Sequence, residues 1–288
     1  VHCLSLQLSL RGIFLSVFYT QNVMRGFLNL GNTCYFNAAI QCLLHIPVLS
    51  NYFLHVGYTG DCEFTQLYTK LVHFYWISKE KGVVNLKSIM EHFFKHFPRF
   101  ENNEPQDTQE AILCVIDILE RSCPDIKPWF YGKKVQETIW PDGKSSSEED
   151  FSIHLVNSSG TDLGEMLSKS AEWNVIENFE DTGGKVHNVA ATRMLFSKLP
   201  QVFMISFDRK SHINVIEKIV IDKYEYNLIA SVVHMGIQYD GHYVSFVKSG
   251  DSWYYINDDF VNEAKLPTSA GHYVLVYNLK TPSSECPP

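Results

Sequence analysis

The spacing of apolar residues changes once along this chain, near Pro124, and that change constrains the fold more than any other feature. From Asn29 to about Arg121 apolar side chains recur at helical intervals. In the segment Cys34 to Ile46, residues Tyr35, Ala38, Ala39, Cys42 and Ile46 fall on one face, Asn32 or Thr33 can cap the start, and Pro47 stops it. Two further helices are expected, one near Phe64 to Trp76 and one carrying Leu86 to Phe97 before Pro98. A fourth is expected to open at Pro105, a residue suited to a first helical turn, and to run through Leu119. Beyond Pro124 the apolar runs become short, β-branched and aromatic: Gln201 to Phe207, Tyr226 to His234, Tyr243 to Val247, Trp253 to Ile256 and Tyr273 to Tyr277. Helices followed by strands predict an α+β fold. Asp142 to Asp150 and Asn157 to Gly164, rich in Ser, Gly and acids, read as loops.

A chain of 288 residues with 45% hydrophobic content can bury one large core, and we assign residues 24–280 to a single domain. Residues 1–23 form an extension of uncertain status and 281–288 a tail. The run from Val1 to Tyr19 is apolar but short and broken by Arg11, so no membrane span is expected. A net charge of -8 without clustered Lys and Arg disfavours nucleic acid as a partner and suits one with a basic face or tail. Seven cysteines with no CxxC pair point to a reducing compartment, cytoplasm or nucleus, and not to a disulfide framework. A monomer is expected.

A thiol becomes a useful nucleophile as a thiolate, which the N-terminus of a helix favours. Cys42 and Cys114 lie inside apolar stripes and read as core, whereas Cys34 follows the polar turn Gly31-Asn32-Thr33, which is expected to expose it. Such a nucleophile needs an imidazole, and a third group to orient it. Twelve histidines compete for that role, and Gly-His-Tyr occurs twice, at Gly241 and Gly271. His272 has no Asn or Asp at a comparable distance after it, which leaves it as a strand residue.

Read as words, Gly26-Phe27-Leu28-Asn29-Leu30-Gly31-Asn32-Thr33-Cys34-Tyr35-Phe36-Asn37 with Gln41-Cys42-Leu43 closely resembles the cysteine box of ubiquitin-specific proteases. Tyr239-Asp240-Gly241-His242-Tyr243-Val244 followed by Trp253-Tyr254-Tyr255-Ile256-Asn257-Asp258-Asp259 resembles the histidine box of the same family. Pro105-Gln106-Asp107-Thr108-Gln109-Glu110 resembles its third box, with Pro105 in place of a Gln. The resemblance implies a papain-like fold with a helical thumb, a β-rich palm and reduced fingers, and a cleft for the tail of ubiquitin. It implies Cys34 as nucleophile, His242 as base, Asn257 or its neighbour Asp258 as the group orienting the base, and Asn29 as oxyanion donor. Gln106, Asp107, Gly241 and Tyr243 are carried over as substrate-binding residues, and His234 as structural support. Asp107 at a helix start is also what helix electrostatics alone would select.

Many relatives hold a structural zinc at the tip of the fingers with two CxxC pairs, whereas this chain has no cysteine between Cys123 and Cys286. His154 and His187 cannot build that site alone, so the expectation is no metal, no cofactor and a short finger region held by packing. The implied partners are ubiquitin and ubiquitinated proteins, and the implied reaction is hydrolysis of the bond after the C-terminal Gly of ubiquitin. The alternatives are a thiol protease for another ubiquitin-like modifier or for general peptide bonds, and a non-catalytic ubiquitin-binding module.

Overall fold

The computed structural model describes residues 24–102, 104–156, 160–208, 212–237 and 240–280; the segments 1–23 and 281–288 set apart above lie outside the described residues. The first half folds into helices α1 (Cys34–Leu44), α2 (Pro47–His55), α3 (Glu63–Ile77), α4 (Lys87–His96) and α5 (Thr108–Ser122), followed by the single turn α6 (Lys127–Phe130). Every residue of α1 is buried, so it is the axis around which the others pack. Phe36 meets Phe93 of α4 at 5.0 Å between ring centroids, and Phe93 meets Phe100 at 4.9 Å.

Two helix boundaries differ from expectation. Pro47 does not simply end α1; it occupies the first position of α2, where its missing N–H costs nothing, while Ile46 before it is extended. Pro105 does not open α5. That helix starts at Thr108 because the Asp107 carboxylate caps it, accepting from Gln109 N at 2.7 Å and Glu110 N at 3.3 Å.

The second half begins with β1 (Gly132–Trp140), β2 (Gly143–Phe151), β3 (Ile153–Leu155), helix α7 (Leu163–Ala171), β4 (Asn174–Glu180) and β5 (Val186–Lys198). It continues through β6 (Val202–Ser206), β7 (Ile213–Asn214), β8 (Lys218–Ile221), β9 (Tyr224–Ile237) and β10 (Asp240–Ser249). It closes with β11 (Ser252–Asn257), β12 (Phe260–Glu263), β13 (Ser269–Ala270) and β14 (His272–Leu279). An eight-stranded sheet runs β12-β11-β10-β9-β14-β6-β3, with β8 paired to β9. Alternation sends Tyr243 and Val247 of β10 into the core shared with α1, and Val244 and Phe246 into a second core beneath the sheet, closed by Leu163 and Met166 of α7.

A separate antiparallel sheet, in the order β2-β1-β5-β4, projects from this body. Its strand β2 replaces the loop expected over Asp142 to Asp150. Both faces of β2 are largely solvated, so it shows no apolar alternation, and cross-strand charge pairs support it: Lys133 Nζ to Glu148 at 2.7 Å and Lys134 Nζ to Glu149 at 2.8 Å. Of the second expected loop, residues 157–159 lie outside the described residues, and Leu163 and Gly164 belong to α7.

Candidate active site

Gly31 and Asn32 turn the chain into α1 with φ of +99° and +52°, so that helix begins at Cys34 itself, with the Thr33 carbonyl accepting from Phe36 N and Asn37 N. The Thr33 hydroxyl is not a cap. It accepts from Leu30 N at 2.9 Å and donates to Asn29 Oδ1 at 3.3 Å, stiffening the turn before the nucleophile. Contrary to expectation, Cys34 is only 9% exposed, because α1 packs against β9 and β10.

His242 is carried over Cys34 by β10, and Asn257 ends the neighbouring strand β11. Asn257 Oδ1 lies 2.6 Å from His242 Nε2. A carbonyl oxygen can only accept, so Nε2 carries a proton and Nδ1 is the ring nitrogen left to exchange a proton with Cys34. His242 is pushed up to about 9, above all by its hydrogen bond to Cys34, against the lowering effect of burial; Asn257 and the charges of Cys34 and Asp258 add to the rise. At neutral pH the ring therefore holds the proton that a leaving amine needs.

Asp258 does not orient the base directly: its Oδ2 lies 3.9 Å from His242 Nε2. That oxygen accepts from Asn29 Nδ2 at 2.7 Å, while Oδ1 accepts from Asn37 Nδ2 at 2.8 Å. Asn29 Oδ1 is held by Gly31 N at 2.9 Å, so its amide plane is fixed from both ends. One N–H of that amide is taken by Asp258, and the amide carries a second N–H able to donate.

The four candidate substrate-binding residues behave differently. Asp107, besides capping α5, accepts from Tyr273 Oη at 2.6 Å and so ties the helical lobe to β14. Gln106 donates to Asn102 Oδ1 at 2.7 Å. Tyr243 is buried between the rings of His234, 5.0 Å away, and Tyr273, 5.9 Å away. Gly241 is a packing requirement, since a Cβ there would stand 1.9 Å from His234 Nε2. His272 is a fully buried strand residue bonded to Ser231 Oγ and the Pro267 carbonyl, as its context predicts. Beside the nucleophile turn, a cleft of about 490 Å³ opens between Leu30, Tyr35, Met90 and Phe94.

A profile described as ubiquitin carboxyl-terminal hydrolase matches residues 25–277. The chain belongs to the ubiquitin carboxyl-terminal hydrolase family. It is 28% identical over 147 residues to ubiquitin carboxyl-terminal hydrolase 12 of Saccharomyces cerevisiae, covering 40% of this chain and 12% of that protein. It is 30% identical over 113 residues to ubiquitin carboxyl-terminal hydrolase nonstop of Drosophila melanogaster, covering 36% of this chain and 22% of that protein. These curated relatives are thus much longer than the segment they share with it. Among solved structures it is similar to a chain of the SAGA Ubp8/Sgf11/Sus1/Sgf73 DUB module bound to ubiquitin aldehyde, with a TM-score of 0.76 at 19% identity, over 90% of this chain and 70% of that one. The likeness confirms the family fold, with the helical lobe as thumb, the eight-stranded sheet as palm and the four-stranded sheet as fingers.

The residues of the fingers do not fit a structural zinc: among the described residues no group of three or more His, Cys, Asp or Glu side chains is placed to hold a metal ion. Their tip is instead a cluster of Trp140, Phe179 and His187, with ring centroids of Trp140 at 5.2 and 5.6 Å from the other two. His187 Nε2 donates to Asp181 at 2.8 Å, and Lys185 pairs with Asp142 at 2.7 Å across the hairpin ends.

Sequence reasoning missed Asn37 and Tyr273 as parts of the site. Asn37 did carry a signal, being a polar residue in a helix whose other positions are almost all apolar. Tyr273 carried none, since an aromatic residue on a core strand needs no second reason.

Proposed function

We propose that this chain is a cysteine-type deubiquitinase that hydrolyses the isopeptide or peptide bond after the C-terminal Gly of ubiquitin. The observation that carries the proposal is the alignment of Cys34, His242 and Asn257, with the Asn29 amide held beside them by Asp258. In this mechanism the Cys34 sulfur, its proton resting on His242, attacks the carbonyl carbon of the terminal Gly. The second N–H of Asn29 receives the negative oxygen, an interaction worth about a hundredfold or more in rate. His242 then protonates the departing Lys amine, leaving a thioester on Cys34. Water loses a proton to His242 as it attacks the thioester, and the thiolate leaves.

The solved relatives bound to ubiquitin aldehyde and to monoubiquitin support ubiquitin as the modifier. The fingers present an exposed apolar rung, Ile139 and Val175 on either side of Ala191, suited to the body of such a modifier. Gln106, Asp107, Gly241 and Tyr243 are assigned to the walls of the tail cleft, which they shape through the contacts above. We further propose a monomer working in the cytoplasm or nucleus, where Cys34, Cys42, Cys62, Cys114 and Cys123 stay free thiols. Among the described residues no helix is long and apolar enough to cross a membrane.

The test is hydrolysis of a fluorogenic ubiquitin C-terminal amide by the wild-type chain, Cys34→Ala and Cys42→Ala. Loss of signal in the first variant alone supports the reaction and the nucleophile. A folded wild-type chain without signal sinks the proposal and turns attention to other modifiers or a binding role.

A further inference from the structure

We propose that Asn37 is a positioning residue of the oxyanion hole, acting on Asn29 through Asp258. The inference rests on the hydrolase function proposed above. Asn37 lies one helical turn beyond Cys34 and is 3% exposed. Its amide nitrogen donates to Asp258 Oδ1 at 2.8 Å and to the Leu28 carbonyl at 3.4 Å. The Oδ1 of Asn37, though buried, accepts from no protein group among the described residues. A buried acceptor left unmade costs stability, so a purely structural explanation accounts for only half of this amide. What the molecule uses is the NH₂.

The partner of that NH₂ is placed to use it. Asp258 adopts φ of +50° in the turn between β11 and β12, and its carbonyl accepts from Phe27 N at 2.8 Å. Gly26 permits this close approach, since a Cβ there would meet the Asp258 carbonyl at 2.5 Å. With the backbone pinned to the segment that leads to Asn29, each carboxylate oxygen serves one amide: Oδ1 serves Asn37 and Oδ2 serves Asn29. The side chain is only 10% exposed, so water cannot replace a lost donor fully. A carboxylate so near a developing oxyanion is also unfavourable unless its charge is drawn toward donors. Asn37 does both jobs, fixing the rotation of the carboxylate and sharing its charge from the side away from the substrate.

Without Asn37, Asp258 can swing toward His242 or solvent, and the Asn29 amide loses the partner that fixes its NH₂. Misplacement by a fraction of an ångström in a preorganised donor slows turnover and leaves ground-state binding largely intact. The decisive measurement is a double-mutant cycle of Asn37→Ala and Asn29→Ala on a fluorogenic ubiquitin amide, alongside alkylation of Cys34 by iodoacetamide, which needs the thiolate but no oxyanion donor. Asn37→Ala is expected to lower kcat by about tenfold or more with KM within about twofold, and to leave the alkylation rate and its pH profile unchanged. Added to Asn29→Ala, it is expected to cost nothing further. Losses that multiply, alkylation that falls in step with turnover, or a turnover loss under about twofold would each overturn the inference. Should Asn37→Ala not melt as a folded chain, Asn37→Leu carries the same cycle, because it keeps the side-chain size but offers Asp258 no donor. A wild-type chain inactive on the ubiquitin amide overturns the proposed function and this inference together; an active one with multiplying losses overturns this inference alone.

Discussion

Replacing Gly241 by Ala tests whether the base is placed by packing. The added Cβ would stand 1.9 Å from His234 Nε2 and 2.5 Å from Cε1, whereas ordinary contact is about 3.5 Å, so the ring must retreat by roughly 1.5 Å or β10 must move. The ring has little room, being 6% exposed with Tyr243 against it. Overpacking of this kind costs about 1–3 kcal/mol, and each kcal/mol lowers the melting temperature of a domain this size by roughly 2–4 °C. The strand also carries His242 as its next residue, so a displacement approaching 1 Å is expected to cost about a hundredfold in turnover. Thermal unfolding reads the first effect and fluorogenic ubiquitin amide hydrolysis the second. His234→Ala in the same chain removes the obstructing ring and is expected to restore much of the rate. A Gly241→Ala protein with wild-type melting and wild-type turnover would refute the reasoning, as would a double variant slower than the single one.

The raised pKa of His242 fixes the alkaline limb of the pH profile: turnover is expected to hold to about pH 9 and then fall as the ring loses the proton it gives to the leaving amine. Asn257→Ala removes a bond that favours the protonated ring, so that limb is expected to move to lower pH; a limb that stays put contradicts the assignment. Asp107→Ala removes both a helix cap, worth about 0.5–2 kcal/mol, and the acceptor of Tyr273, and is expected to melt several degrees lower, with Tyr273→Phe reproducing only part of the drop. A chelator is expected to leave the melting curve unchanged while Trp140→Ala lowers it, since rings and the His187–Asp181 pair hold the finger tip; a chelator-sensitive transition would contradict this.

How much of the site was legible in sequence depended on how local each feature is. The start of α1 at Cys34 follows from a polar turn beside an apolar stripe, whereas Asn257 as partner of His242 comes from the family resemblance, which leaves Asp258 open, and only the pairing of β10 with β11 brings Asn257 to the ring. The extent of α5 was misjudged because Pro105 and Asp107 are both good helix openers, and only the Tyr273 hydroxyl shows how the second is held. Strand β2 could have been found from Pro141-Asp142-Gly143, a turn signal, with Lys and acid residues facing each other across it.

By itself, then, the chain's order of residues determined the change from helical to strand periodicity, and with it the two lobes and the nucleophile at a helix start, because those depend on neighbours a few positions apart. Only the tertiary structure decided that Asp258 serves Asn29 and Asn37 and not primarily His242, and that Gly241 is small because of His234. These contacts join residues 229 and 221 positions apart in the first case, and in the second two residues set diagonally on adjacent strands, where Gly241 lies opposite Gly236 and His234 opposite Tyr243. A hydrogen bond across such a distance leaves no periodic trace, since it becomes specific only when two separately folded surfaces have been brought into register.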